Sequence, residues 1–149
     1  MAKRRPLDLH SLDGVIAEVI RLRGDGYTAT GNWNLSQIGD HLSETMRIGM
    51  DGDEKRVAWP LRKVFGVILW LARRNRTMVT GAPTLPRLEP AEIAEDDPAK
   101  IDRLLATLAE ARDFAGPLPP YPLMDGMTLE KWKNLMVIHA QHHLRFLNP

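Results

Sequence analysis

In five separate segments of this chain, apolar residues recur at the three- and four-residue spacing of a helix; no segment shows the alternation of a half-buried strand. The period restricts the chain to an all-α fold. A first helix is expected from Ser11 to Leu22, with Ser11 as N-cap, a stripe of Leu12, Val15, Ile16, Val19 and Ile20, and Gly24 and Gly26 ending it. In a second helix Asn34 is placed to cap and Gln37 to reach back in a capping box. Its stripe is Leu35, Ile38, Leu42 and Met46, and residues 49–53 read as a turn.

The third helix starts near Pro60, a residue suited to a first turn. Leu61, Val64, Phe65, Ile68, Leu71 and Ala72 mark its inner face, and Val67, Leu69 and Trp70 widen it. A helix this apolar is expected to be the most buried of the set, although an interface would explain the pattern equally well. Pro83, Pro86 and Pro90 make residues 81–95 a long, partly extended loop. A fourth helix runs from about Pro98 to Phe114, capped by Asp96 or Asp97, with Ile101, Leu104, Leu105, Leu108 and Ala111 inward. The proline-rich stretch 116–122 is a stiff connector to a last helix, from near Thr128 to Phe146 or Leu147. The arrangement predicted is an up-and-down four-helix bundle with one additional helix and long Pro-rich loops, as a single domain over 1–149.

The formal net charge of +1 gives no strong field to draw nucleic acid or an anionic membrane, so neither is expected as a partner. Lys3-Arg4-Arg5 reads as a solvated tail. The chain contains no cysteine, which excludes disulfides, thiolate ligands and a cysteine nucleophile, and fits a cytoplasmic location. No apolar signal core follows the N-terminus. The apolar stretch Val64 to Ala72 is far shorter than the roughly 20 residues that span a bilayer.

Three of the five histidines lie at 139, 142 and 143. His139 and His143, one turn apart, occupy inward positions of the last helix together with Trp132, Leu135 and Met136. His41 borders the inner face of the second helix beside Ile38 and Leu42. Buried imidazoles need partners, and a divalent metal is an economical one for three of them. Three imidazoles leave coordination positions open, the pattern of a catalytic site. Glu44, one turn after His41, is a candidate ligand or base; Gln37, one turn before it, is a candidate for orienting substrate. His142 reads as a flanking residue and His10 as solvated. The four methionines at 46, 50, 78 and 136 read as packing residues. The four tryptophans read as core or helix-end residues, one of which can wall a pocket. No phosphate-binding loop and no Gly-x-Ser-x-Gly elbow occurs.

The stretch Gly31-Asn32-Trp33-Asn34-Leu35-Ser36-Gln37-Ile38-Gly39-Asp40-His41-Leu42, with Trp132 to Leu135 and His139-Ala140-Gln141-His142-His143-Leu144-Arg145-Phe146-Leu147, resembles a domain family of unknown function within the DinB-like superfamily. The resemblance implies a four-helix bundle with a three-histidine metal site, its ligands being His41, His139 and His143. Related enzymes in that superfamily include transferases and isomerases that use bacillithiol, mycothiol or glutathione-like thiols. They bind zinc or nickel and are frequently dimers. Where the common superfamily form has Arg-Gly-Gln after the last histidine, this chain has Leu144-Arg145-Phe146. The function expected is a metal-dependent thiol transferase or hydrolase, with zinc or nickel foremost, iron or manganese next, a low-molecular-weight thiol or other small molecule as partner, and a homodimer as its assembly. The alternatives are a non-enzymatic, stress-related bundle with structural histidines, and a metal-free small-molecule pocket.

Overall fold

The computed structural model describes residues 3–81 and 85–149. It is mostly helical: α1 (Leu12–Asp25), α2 (Leu35–Asp51), α3 (Trp59–Asn75), α4 (Pro98–Asp113) and α5 (Leu129–Leu144), with a two-stranded sheet of β1 (Thr28–Ala29) and β2 (Leu147–Asn148). Leu12, Val15, Val19 and Leu22 of α1 meet Leu35, Ile38, Leu42 and Met46 of α2 in a common core. Ile101, Leu104 and Leu108 of α4 and Trp132, Leu135 and Met136 of α5 complete it. The most extensive helix contact is between α2 and α4, and both α1 and α2 also pack on α5. Among the described residues, no helix is long and apolar enough to cross a membrane.

The helix starts follow their caps. Ser11 Oγ accepts from Gly14 N, Asp97 from Ala99 N and Thr128 Oγ1 from Lys131 N. At α2 the capping box is complete, with Asn34 Oδ1 accepting from Gln37 N at 2.9 Å and Gln37 Oε1 accepting from Asn34 N at 3.0 Å. The ends differ more from expectation. Helix α1 runs through Gly24 and stops at Gly26, whose φ of 80° is a conformation that favours glycine. Helix α2 runs through Gly49 to Asp51, and the Trp132 indole lies against Gly49, where a Cβ would overlap it. The last helix ends at Leu144, and Leu147 and Asn148 instead pair antiparallel with Ala29 and Thr28. A two-residue strand is too short to show alternation.

Three expectations are overturned. Helix α3 is not the most buried helix. Only its Leu69 and Ala72 are buried, and its one extensive helix contact is with α5. Its phase presents Leu69 to the protein and turns Leu61, Val64, Ile68 and Leu71 outward. Trp70 fills neither the core nor a helix end, since it lies inside α3 and is 48% exposed, whereas Trp59 takes the helix-end position as the first residue of α3. Finally, Arg5 is not part of a solvated tail. Its side chain is 13% exposed, pairs with Glu18, and donates from Nε to Leu147 O at 2.6 Å, which ties the N-terminus to β2.

The segment between α3 and α4 contains a 3-10 turn, Pro86–Leu88, which the prolines alone do not announce. It is pinned to α2, since Gln37 Nε2 donates to Ala91 O at 3.2 Å and Asn34 Nδ2 to Ile93 O at 3.1 Å. Pro83 of the expected loop lies outside the described residues.

Candidate metal centre

The capping box sets the phase of α2, and that phase puts His41 on the inner face between Ile38 and Leu42. Thr128 does the same for α5, which carries His139 and His143 one turn apart. His41 is buried, His139 keeps 9% of its surface and His143 is partly exposed.

All three imidazoles converge through Nε2. His139 Nε2 lies 3.1 Å from His41 Nε2 and 3.1 Å from His143 Nε2, and one ligand atom from each residue falls within 4.8 Å of the others. The other end of His41 is fixed by backbone: Nδ1 is 2.9 Å from Leu88 O. A carbonyl only accepts, so Nδ1 carries the proton and Nε2 of the neutral ring is a bare lone pair aimed at His139. Trp33 covers the cluster. Its ring stacks on His143 with centroids 5.3 Å apart and leans on His41 at 5.1 Å. His142 meets His143 edge-on at 5.0 Å, flanking the set rather than entering it.

Burial holds all three rings in the neutral form. Desolvation lowers the pKa of His41, and it takes those of His139 and His143 well below the usual histidine value, with the neighbouring imidazoles adding to the shift. Neutral imidazole is the form that binds a metal. The spacing also suits one. Zinc takes imidazole nitrogen at about 2.0–2.1 Å, which puts two nitrogens of a tetrahedral site about 3.3 Å apart, close to the 3.1 Å seen for both pairs.

The two remaining candidates lie elsewhere. Both ends of the Gln37 amide serve the α2 cap and the 85–93 segment, bonding Asn34 N and Ala91 O. Glu44 is half-exposed and pairs with Arg103. It lines a cavity of about 220 Å³ that also meets His41, Leu88, Asp40 and Lys100. The structure thus joins three of the five candidate residues and sets Gln37 to holding the helix start. The Leu88 carbonyl, which orients His41, has no side-chain signature in sequence. Trp33 had one, its place immediately before the cap of the His41 helix.

Fold and site together define a mostly helical protein whose second and last helices bring three imidazoles into a set able to hold a metal ion. The chain belongs to the family described as Protein of unknown function (DUF1569), whose profile matches residues 1–149. Comparison with curated proteins and with solved structures returns no significant match.

Proposed function

We propose that the chain is a DinB-like four-helix bundle in which His41, His139 and His143 hold one divalent ion, zinc or nickel before iron or manganese. The reaction we assign to it is thiol transfer or hydrolysis on a small molecule, with a low-molecular-weight thiol as the first candidate.

One observation carries the metal reading. His139 Nε2 faces both His41 Nε2 and His143 Nε2 at 3.1 Å, and His41 has no proton to offer there. If His139 carries a proton on Nε2, one donor must serve two partners. If it does not, its lone pair opposes that of His41. No arrangement of neutral rings satisfies both contacts with one hydrogen bond each, and protonation is opposed by burial. A cation accepting all three lone pairs removes the conflict.

When bound, such an ion supplies Lewis acidity that activates a thiol or water near neutral pH. The chain's own contributions are positional. Leu88 O sets the His41 tautomer, an outer contact of the kind that tunes ligand basicity. Trp33 shields the His143 and His41 rings from water. Glu44 stands at the rim of the cavity beside His41, where its pairing with Arg103 gives an incoming group both a carboxylate and a guanidinium to meet.

The test is metal content. Untagged protein, as purified or after soaking with zinc or nickel, is expected to retain about one equivalent after dialysis. Retention of none overturns the reading. A screen of low-molecular-weight thiols with electrophilic substrates then separates transferase from binding module. The non-enzymatic reading draws on the packing of Trp33 over the rings. It predicts that the metal-free chain is as stable as the metal-soaked one.

A further inference from the structure

Helix α3 and the segment leading into α5 border a cavity of about 310 Å³, distinct from the one beside His41. Arg62, Lys63 and Arg73 of α3 and Lys131 of α5 line it with positive charge, and Asp125 is the single carboxylate of the lining. Val67, Trp70 and Met124 supply its apolar wall. The volume stands at the lower end of the range for small-molecule sites, roughly 300–1,000 Å³.

We propose that this cavity binds a phosphate monoester carried on a flat aromatic or heterocyclic body. It is separate from the histidine cluster: Lys131 is in the first turn of α5, and His139 lies about 12 Å further along the helix axis.

Charge balance selects a dianion. Asp125 is already taken, since it meets Arg56 and Arg62 at 3.0 Å and Lys63 at 3.9 Å. Arg73 and Lys131 are left without an acidic partner among the described residues, and Arg73 Nε is a buried donor with no hydrogen bond. A guanidinium fork and an ammonium lining one cavity suit phosphate oxygens, and a phosphate monoester is largely dianionic above pH 7. The helix dipole favours Arg73, in the last turn of α3, but disfavours Lys131, in the first turn of α5. Helix stability therefore does not account for Lys131, whereas an anion in the cavity does.

The wall fits a flat body. Trp70 is half-exposed at the cavity, and Arg74 lies 5.4 Å over its ring, a cation–π contact that steadies the indole. Gly66, one turn before Trp70 on the same face, makes the room. Glycine inside a helix is costly. At Gly49 the cost has a packing reason, because a Cβ would overlap Trp132. At Gly66 a Cβ would meet only Met124 Cβ, at 3.9 Å, an ordinary contact. Packing leaves this glycine unexplained, whereas an open floor beside Trp70 makes use of it.

Isothermal titration calorimetry of the full chain above pH 7, with phenyl phosphate, benzoate and inorganic phosphate as probes, tests this. Phenyl phosphate is expected to bind about tenfold or more tightly than either of the others, since benzoate lacks the second charge and inorganic phosphate lacks the ring. Arg73→Gln and Lys131→Gln should each weaken it about tenfold or more. Gly66→Leu, which fills the floor, should abolish binding with helical circular dichroism unchanged. His139→Ala should bind phenyl phosphate as wild type does. No binding of phenyl phosphate at millimolar concentration overturns the proposal, and so does equal binding of benzoate or inorganic phosphate. Full affinity in the Arg73→Gln and Lys131→Gln proteins overturns it too, as does a loss confined to His139→Ala, which would place the phosphate at the histidine cluster.

Discussion

His41 places Nδ1 on the carbonyl oxygen of Leu88, 2.9 Å away, and thereby turns Nε2 toward His139 at 3.1 Å. One backbone group thus decides which nitrogen of His41 is available to the cluster. Removing His139, the member common to both short contacts, should cost much more with metal than without it. In zinc-soaked protein His139→Ala should lose the bound equivalent and the stabilisation that comes with it, about 2.7 kcal/mol at a free metal concentration 100 times Kd. In metal-free protein it removes the unresolved lone-pair contact, and the cost should stay within about 1 kcal/mol. In zinc-soaked protein His142→Ala should leave the stoichiometry at one. Metal analysis with denaturation of each variant, loaded and metal-free, decides this. Full retention of metal by His139→Ala would show that the ligands are misassigned.

The same three histidines make the metal-free chain sensitive to mild acid. Their pKa values are lowered in the folded protein, chiefly by burial, from an unfolded value of about 6.5. Below about pH 6.5 the unfolded chain therefore binds protons that the folded chain refuses. Stability is full above that pH and falls as pH drops toward the folded values. Urea denaturation at pH 7.5 and 5.5 should show the loss, and His143→Ala should make the two curves more alike. An unchanged slope in that variant would rule His143 out as a contributor.

The part of this site carried by helical phase was legible in the amino-acid sequence. A separation of four residues puts His139 and His143 on one face, and Ile38 and Leu42 bracket His41 on the inner face of α2. What phase does not carry is the outer contact, because Leu88 acts through its backbone and its place depends on hydrogen bonds from Gln37 and Asn34 to the same segment. Helix α3 marks a second boundary. Apolar content identified the helix but not which side met the protein, since Leu61, Val64, Ile68 and Leu71 form as regular a stripe as any inward one. Arg5 was read from its neighbours as solvated, whereas its actual partners, Glu18 and Leu147, are brought to it by α1 and β2.

Glu18 should give the chain a second, more acidic transition. Its side chain is 9% exposed and is held by Arg5 and by Arg21, whose Nη2 lies 2.9 Å from Oε1. Burial alone would raise its pKa, but the hydrogen bonds from Arg21 and Arg5 outweigh burial and lower it. The pair's contribution is therefore present above the unfolded carboxylate value, about 4.3, and lost as pH falls through the lower folded value. Glu18→Gln should cost about 1–3 kcal/mol at pH 7, with the gap to wild type narrowing below pH 4. It should also loosen the N-terminus, since Arg5 joins Glu18 to Leu147 O. Denaturation across pH, with proteolysis at the N-terminus, measures both effects. An equal loss at pH 7 and pH 3 would mean that shape rather than charge holds Glu18.

Gly49→Ala sets two effects of opposite sign against each other. Inside a helix the exchange of glycine for alanine normally gains about 1 kcal/mol. Here a Cβ at residue 49 would overlap the indole of Trp132, which is fully buried and packed against Phe114 with ring centroids 6.0 Å apart. The overlap is with the rigid ring itself, not with the end of a flexible chain, so either the indole or α2 must move. Overpacking of this kind costs about 1–3 kcal/mol, enough to reverse the helix-propensity gain. The variant should therefore be less stable than wild type, and Trp132 should report the displacement in its fluorescence. Helix α5 carries both Trp132 and His139, so a shift of the indole should also weaken zinc binding without abolishing it. A Gly49→Ala protein more stable than wild type would show that the indole relaxes without strain, and that the glycine serves helix α2 alone.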